Sequence, residues 1–210
     1  MPTGYEQIYA DLLPRLLTCD ITAQAERLGL QPTGADCATA EFLGRAYLIT
    51  PQGVEVADGG GAAPINNRSL LIYYITAEGG IEPRQSYVPI NRLTGIIEGR
   101  NNDDNWFIGE ALMRDLDSRY DLFVAAAEDL GGRPAGRLLG GQCWDFLVLP
   151  KMPMRLVFIE ADEEFAAELI VQFDETAPYY MDFECLAFLS GSLLRELGAR
   201  AKKRKESGLV

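Results

Sequence analysis

The chain has 210 residues, 48% of them hydrophobic and 24% charged, a composition that folds, and 31 acids against 19 bases leave a formal charge of −12. That sign repels phosphate backbones and speaks against nucleic acid as a partner. There is no histidine, which excludes a Ser-His-Asp triad, a Cys-His pair and any histidine-bearing zinc site; proton transfer is left to carboxylate, Lys, Tyr, Cys or a cofactor.

A domain of this length buries roughly 70% of the surface its unfolded chain exposes, so it needs no disulfide or metal staple. Cys19, Cys37, Cys143 and Cys185 are scattered, with no C-x-x-C pair, and read as buried free thiols. No basic-then-apolar leader opens the sequence, and no apolar run reaches the roughly 18–20 residues of a membrane span. A cytoplasmic location is the expectation.

In chain order, Thr3-Gly4-Tyr5-Glu6 is a capping box. Tyr5, Ile8, Tyr9, Leu12, Leu13 and Leu16 follow at helical spacing, with Pro14 expected to kink or restart the helix. Asp20 caps a second short helix, which Gly29 ends. The period then changes: 38–43, 46–49 and 54–56 read as three short strands, separated by Gly44-Arg45 and Pro51-Gln52-Gly53. The glycines at 59–61 lead to a short apolar helix over about 68–77. Residues 86–90 read as a strand that Pro89 pushes to a sheet edge.

Asp103-Asp104 open the strongest helical period, from Ile108 through Leu112, Leu116, Tyr120, Phe123 and Ala127 to Leu130, and Gly131-Gly132 end it. The glycine-rich stretch to Gly141 reads as a loop. Residues 143–149 and 155–159 form a hairpin through Pro150-Lys151-Met152-Pro153, and 168–173 is a third strand. A closing helix over 181–197 puts Cys185, Leu189, Leu193 and Leu197 on one face. Strands and helices are grouped rather than alternating, which predicts an α+β fold: a short-strand antiparallel or mixed sheet, flanking helices and a long C-terminal helix. The expected organisation is one domain over 1–210, with a small helical piece at 1–30 and a frayed basic tail at 199–210.

The second half carries a succession of short motifs: Cys143-Trp144-Asp145-Phe146, Leu149-Pro150-Lys151-Met152-Pro153-Met154, Glu160-Ala161-Asp162-Glu163-Glu164-Phe165 and Phe173-Asp174-Glu175-Thr176-Ala177. In this order they resemble the domain-of-unknown-function 3786 family; the 42–56 strands and Leu70-Leu71-Ile72-Tyr73-Tyr74 fit it more loosely. The resemblance implies an anaerobic bacterial or archaeal setting. Fusion of some members to a cysteine-rich iron–sulfur segment implies redox or corrinoid-linked metabolism. This chain has no iron–sulfur cysteine cluster, so that cofactor does not carry over.

Three features compete as chemistry. The first is acidic. Between Arg155 and Arg195 there are nine acids and no Lys or Arg, and Asp145, Asp162 and Asp174, each at or near a strand end, are the candidate metal ligands. Converging carboxylates suit a divalent cation such as Mg²⁺ or Ca²⁺, or raise one carboxyl pKa for proton transfer. Against this, Asp162-Glu163-Glu164 also reads as a solvated turn and Asp174 as a turn cap before Pro178, and the run lacks the alternating spacing of a calcium loop. The second is the thiols of Cys143 and Cys185, a ligand type that suits a soft metal, a cluster or a corrinoid. They read as packing, because activation needs a nearby cation and the surrounding sequence offers none. The third is glycine at 59–61 and 131–141, which shows no phosphate-loop pattern. The basic run Arg200 to Lys205 reads as helix-dipole compensation.

Three functions follow, the third being corrinoid- or iron–sulfur-linked redox. The first is an accessory module of anaerobic metabolism that binds a small ligand or a partner protein. The alternative is a hydrolase-type enzyme using a carboxylate-held divalent cation. Catalytic and cofactor-binding residues are not assigned.

Overall fold

In the computed structural model, which describes residues 3–59, 63–93, 109, 111–116 and 118–208, the capping box forms at the start of α1 (Gly4–Leu17). The Glu6 amide donates to Thr3 Oγ1 at 3.3 Å, and the Thr3 amide donates to Glu6 Oε2 at 2.7 Å. Contrary to expectation, α1 runs through Pro14 without restarting. Pro14 lies in the last turn, where its missing amide removes one hydrogen bond and little helix remains to be disturbed. Asp20 caps α2 (Ile21–Leu28) by accepting from the Ala23 amide at 2.9 Å, and Gly29, at φ 77°, closes it in the left-handed region.

Four strands follow as an antiparallel meander in chain order: β1 (Gln31–Gly34), β2 (Cys37–Phe42), β3 (Arg45–Thr50) and β4 (Gly53–Val56). The first was not expected. It contains Pro32 and survives because it is an edge strand, paired only with β2. Leu43 and Gly44, both at positive φ (51° and 74°), make the tight β2–β3 turn. Helix α3 (Ile65–Ile75) is apolar around most of its girth, since α1 and α6 (Phe183–Ser207) both pack against it.

The second sheet is antiparallel, in the order β5-β9-β8-β7-β6. Its strands are β5 (Tyr87–Pro89), β6 (Arg133–Leu138), β7 (Gly141–Leu149), β8 (Met152–Ile159) and β9 (Glu168–Asp174). As Pro89 implies, β5 is an edge. Read as loop, the glycine-rich stretch supplies β6 at the other edge, with an irregularity between Pro134 and Arg137. Such a strand hides its period, because an irregular edge need not alternate.

The long helix expected from Asp103 to Leu130 is not continuous. Residues 101–108 lie outside those described; 111–115 are helical, a turn follows, and α5 (Tyr120–Asp129) begins afresh. At the break Ser118 takes φ 53° and its amide donates to Met113 O at 2.9 Å, a left-handed helix stop. The apolar period persists across the break because both pieces face the same core. A short helix α4 (Ile90–Leu93) follows β5.

Helix α6 has 25 residues and outlasts its expected end at Leu197. The segment expected to fray is helical as far as Ser207. Arg204 makes two hydrogen bonds to Asp129 at 2.7 and 2.6 Å, and Lys202 pairs with Asp115 at 3.1 Å.

Alternation along β7 sorts the second sheet into two faces. Trp144, Phe146 and Val148 are all buried, while the opposite row runs from buried Cys143 through half-buried Asp145 to exposed Leu147. Phe123 of α5 seats on the buried face, 6.0 Å from Trp144 and 5.1 Å from Phe158 between ring centres. The fold is α+β, with two antiparallel sheets and a long C-terminal helix. Among the described residues no helix is long and apolar enough to cross a membrane.

Candidate functional site

The three candidate aspartates have separate local tasks. Asp145 stands opposite Arg155 across β7 and β8, and Arg155 Nε and Nη2 donate to its two oxygens at 2.6 and 2.8 Å. The same guanidinium stacks on the Tyr87 ring at 4.2 Å, and the Asp145 hydrogen bonds hold Arg155 above its ordinary pKa. Asp162 lies beyond β8 in an exposed turn. The amides of Glu164 and Phe165 donate to it at 2.8 and 2.7 Å and hold its carboxyl below the usual range. Asp174 ends β9 and is 1% exposed. Burial pushes its pKa up, but donors from the Thr176 hydroxyl and amide and the Arg84 and Gln85 amides outweigh this and hold it low.

Asp145 and Asp174 do share one face of the sheet, the one opposite Trp144 and Phe146, with the β8 strand and Arg155 between them. Asp162 does not join them. Among the described residues no group of three or more Cys, Asp or Glu side chains gathers where it could hold a metal ion. One feature of this face escapes the local accounting: Asp174 Oδ2 and, two residues back on the same side of β9, Gln172 Oε1 are buried without a hydrogen-bond partner.

The thiols do have cations near them, against the expectation from the sequence. Arg155 acts on Cys143 and Arg15 on Cys185, each favouring the thiolate. Burial outweighs both. It raises the Cys143 thiol, and it raises Cys185 strongly with help from a hydrogen bond to Asp182 and the charges of Asp182 and Glu184. Both shifts favour the protonated thiol over the nucleophilic thiolate. Of the glycine pieces, 60 and 61 lie outside the described residues, and 133–138 is strand.

A different place is shaped to receive something. A groove enclosing a cavity of about 150 Å³ lies where α1, α3 and α6 meet. Tyr5 and Ile8 of α1, Ser69, Leu70 and Tyr73 of α3, and Glu184, Cys185 and Phe188 of α6 line it, together with Asn66. The wall is mostly apolar with a few polar groups, the usual make-up of a small-molecule site. Tyr5 and Phe188 pack edge to face, 5.8 Å apart at 85°. Both remain substantially exposed, as does Ile8. No Lys or Arg lines the groove, and Glu184 is its one charged residue.

Sequence reading did not assemble this site. It placed Tyr5 and Ile8 on one apolar stripe with Tyr9, Leu12 and Leu16, but only the last three are buried. The signal was in α6: Phe188 and Phe183 fall off the Cys185–Leu189–Leu193–Leu197 stripe, so their rings had to meet something else or water.

The family described as Domain of unknown function (DUF3786) matches residues 20–196, and the chain belongs to that family. No curated protein and no solved structure matches it.

Proposed function

We propose that this DUF3786 member is an accessory binding module whose ligand seats in the groove between α1, α3 and α6. The observation that supports the reading is the cavity of about 150 Å³ with an aromatic wall. An engineered apolar cavity of about that size accepts a benzene-sized guest. The groove offers one ring corner, two small polar side chains and one carboxylate, which is enough to orient a guest, with no activated nucleophile beside it. A link to anaerobic redox or corrinoid metabolism would then be made through what the module binds, since burial raises the thiol of Cys185, the one cysteine that lines the groove.

Titration of the full chain with benzyl alcohol, followed by amide NMR, tests this. Shifts should be confined to α1, α3 and α6 and should vanish in Phe188→Ala, whose truncated side chain is already part-exposed. Shifts elsewhere, or none, would end the reading.

A second reading has one observation behind it. Asp174 Oδ2 and Gln172 Oε1 are buried acceptors without partners, and a divalent cation near Asp145 and Asp174 would supply what they lack. Mn²⁺ relaxation of nearby amides, abolished in Asp174→Asn, is its expected signature; unperturbed β9 amides at saturating Mn²⁺ would remove it, along with any hydrolase built on Asp145, Asp162 and Asp174.

A further inference from the structure

The geometry points to a small alkylated ammonium group as the guest of the α1–α3–α6 groove, an inference that rests on that groove being the binding site. Three rings line it: Tyr5, Tyr73 and Phe188. Tyr5 and Phe188 stand at 85° with their centres 5.8 Å apart, so they form two walls of a corner rather than a flat stack. Aromatic faces carry the negative lobe of the ring quadrupole, and a cation within about 6 Å of several such faces is held without needing hydrogen bonds. A methylated ammonium suits this surface because its charge lies under C–H groups that are weakly hydrated and lose little on leaving water.

The charges around the groove agree. Its single charged lining residue is Glu184, which makes no ion pair among the described residues. Two helix N-termini open near the groove, and by themselves they would favour an anion. Those positions are already taken by acids. Asp182 accepts from the Cys185 amide at 2.9 Å, and Glu6 closes the box on α1. Arg68 is engaged outside the groove, whereas Arg15, though not a lining residue, acts electrostatically on the lining Tyr73 and Cys185, and its charge is offset by Glu184. Arg68 sits 4.1 Å over the Tyr9 ring and donates to Val54 O, and Arg15 lies 5.1 Å over Tyr73 without lining the cavity. Tyr73 thus already receives one cation and still presents surface to the cavity. In size, a trimethylammonium head is close to the benzene-sized guest that such a volume holds.

Choline and its neutral carbon isostere, 3,3-dimethylbutan-1-ol, separate charge from shape. With the full chain, choline should shift the amides of Tyr5, Ser69, Tyr73 and Phe188 and bind about tenfold more tightly than the isostere. Phe188→Leu keeps apolar bulk but removes the ring, and should weaken choline about fivefold while leaving the isostere unchanged. Glu184→Gln, an exposed change that leaves the fold intact, should weaken choline alone. Equal affinity for choline and the isostere would overturn the inference yet leave the groove as the site, as would binding of benzyl alcohol without choline. Silence from all three compounds would overturn both.

Discussion

Arg155 holds Asp145 through two hydrogen bonds while its guanidinium carbon sits 4.2 Å over the ring of Tyr87. One side chain thereby ties β7, β8 and the edge strand β5 together on the face of the second sheet opposite Trp144 and Phe146. The carboxylate that the sequence offers as a metal ligand is spent on this bridge, which a metal ion would have to break.

Asp145→Ala should therefore cost stability and leave Arg155 partly desolvated without a partner. The side chains are 31% and 23% exposed, so the loss falls below that of a fully buried pair, at about 1–2 kcal/mol. A urea double-mutant cycle with Arg155→Ala measures the coupling; a coupling indistinguishable from zero would mean that the bridge contributes nothing.

Asp174 should shape the acid limb of the stability curve. Its pKa is lower folded than unfolded, so its contribution is complete above the ordinary aspartate value near 3.9 and disappears as pH falls through the lower folded value. Asp174→Asn should lower stability at pH 7 and flatten the decline below about pH 4. Some slope will persist, because Asp129 and Asp162 are depressed too. Parallel curves for the two proteins between pH 2 and 7 would contradict this.

Tyr74 is fully buried, and its hydroxyl donates to Leu28 O at 2.9 Å and accepts from the Lys151 amide at 3.0 Å. That one oxygen connects the C-terminal ends of α2 and α3 with the β7–β8 turn. Tyr74→Phe keeps the ring but strands a carbonyl and an amide, which should cost about 2–4 kcal/mol in chemical denaturation. A cost below about 0.5 kcal/mol would show that water replaces the hydroxyl.

Arg204→Ala should fray the end of α6 without unfolding the rest. Its bidentate bridge to Asp129 is partly solvated and screened by water, so the global loss should be small. Hydrogen exchange should quicken over 199–207 alone. Unchanged exchange there would show that Lys202–Asp115 and the Arg200 bond to Asp129 O are sufficient.

Most local structure was legible in the sequence, because caps, turns and helical or alternating periods depend on neighbours within about four residues. The Thr3 box, the Asp20 and Gly29 ends of α2, the β7–β8 hairpin and the edge position of β5 all belong to this class. The misreadings occur where a local signal is ambiguous. A period shared by two pieces facing one core concealed the Ser118 break, and irregular or proline-bearing edges concealed β6 and β1.

The lack of histidine fixes at the outset which chemistry is missing, since no arrangement of the chain can supply imidazole, and the order of helical and alternating segments already implies an α+β fold. What the acids and rings do depends on long-range packing. Asp145 found Arg155 through hairpin register, Asp174 found amides from the segment before β5, and Asp162 stayed in its own turn. Tyr5, Tyr73 and Phe188 meet because three helices far apart in the chain pack side by side. The rotation of each helix about its axis, set by the whole core, chooses which residues face the groove, and no short-range pattern encodes that choice.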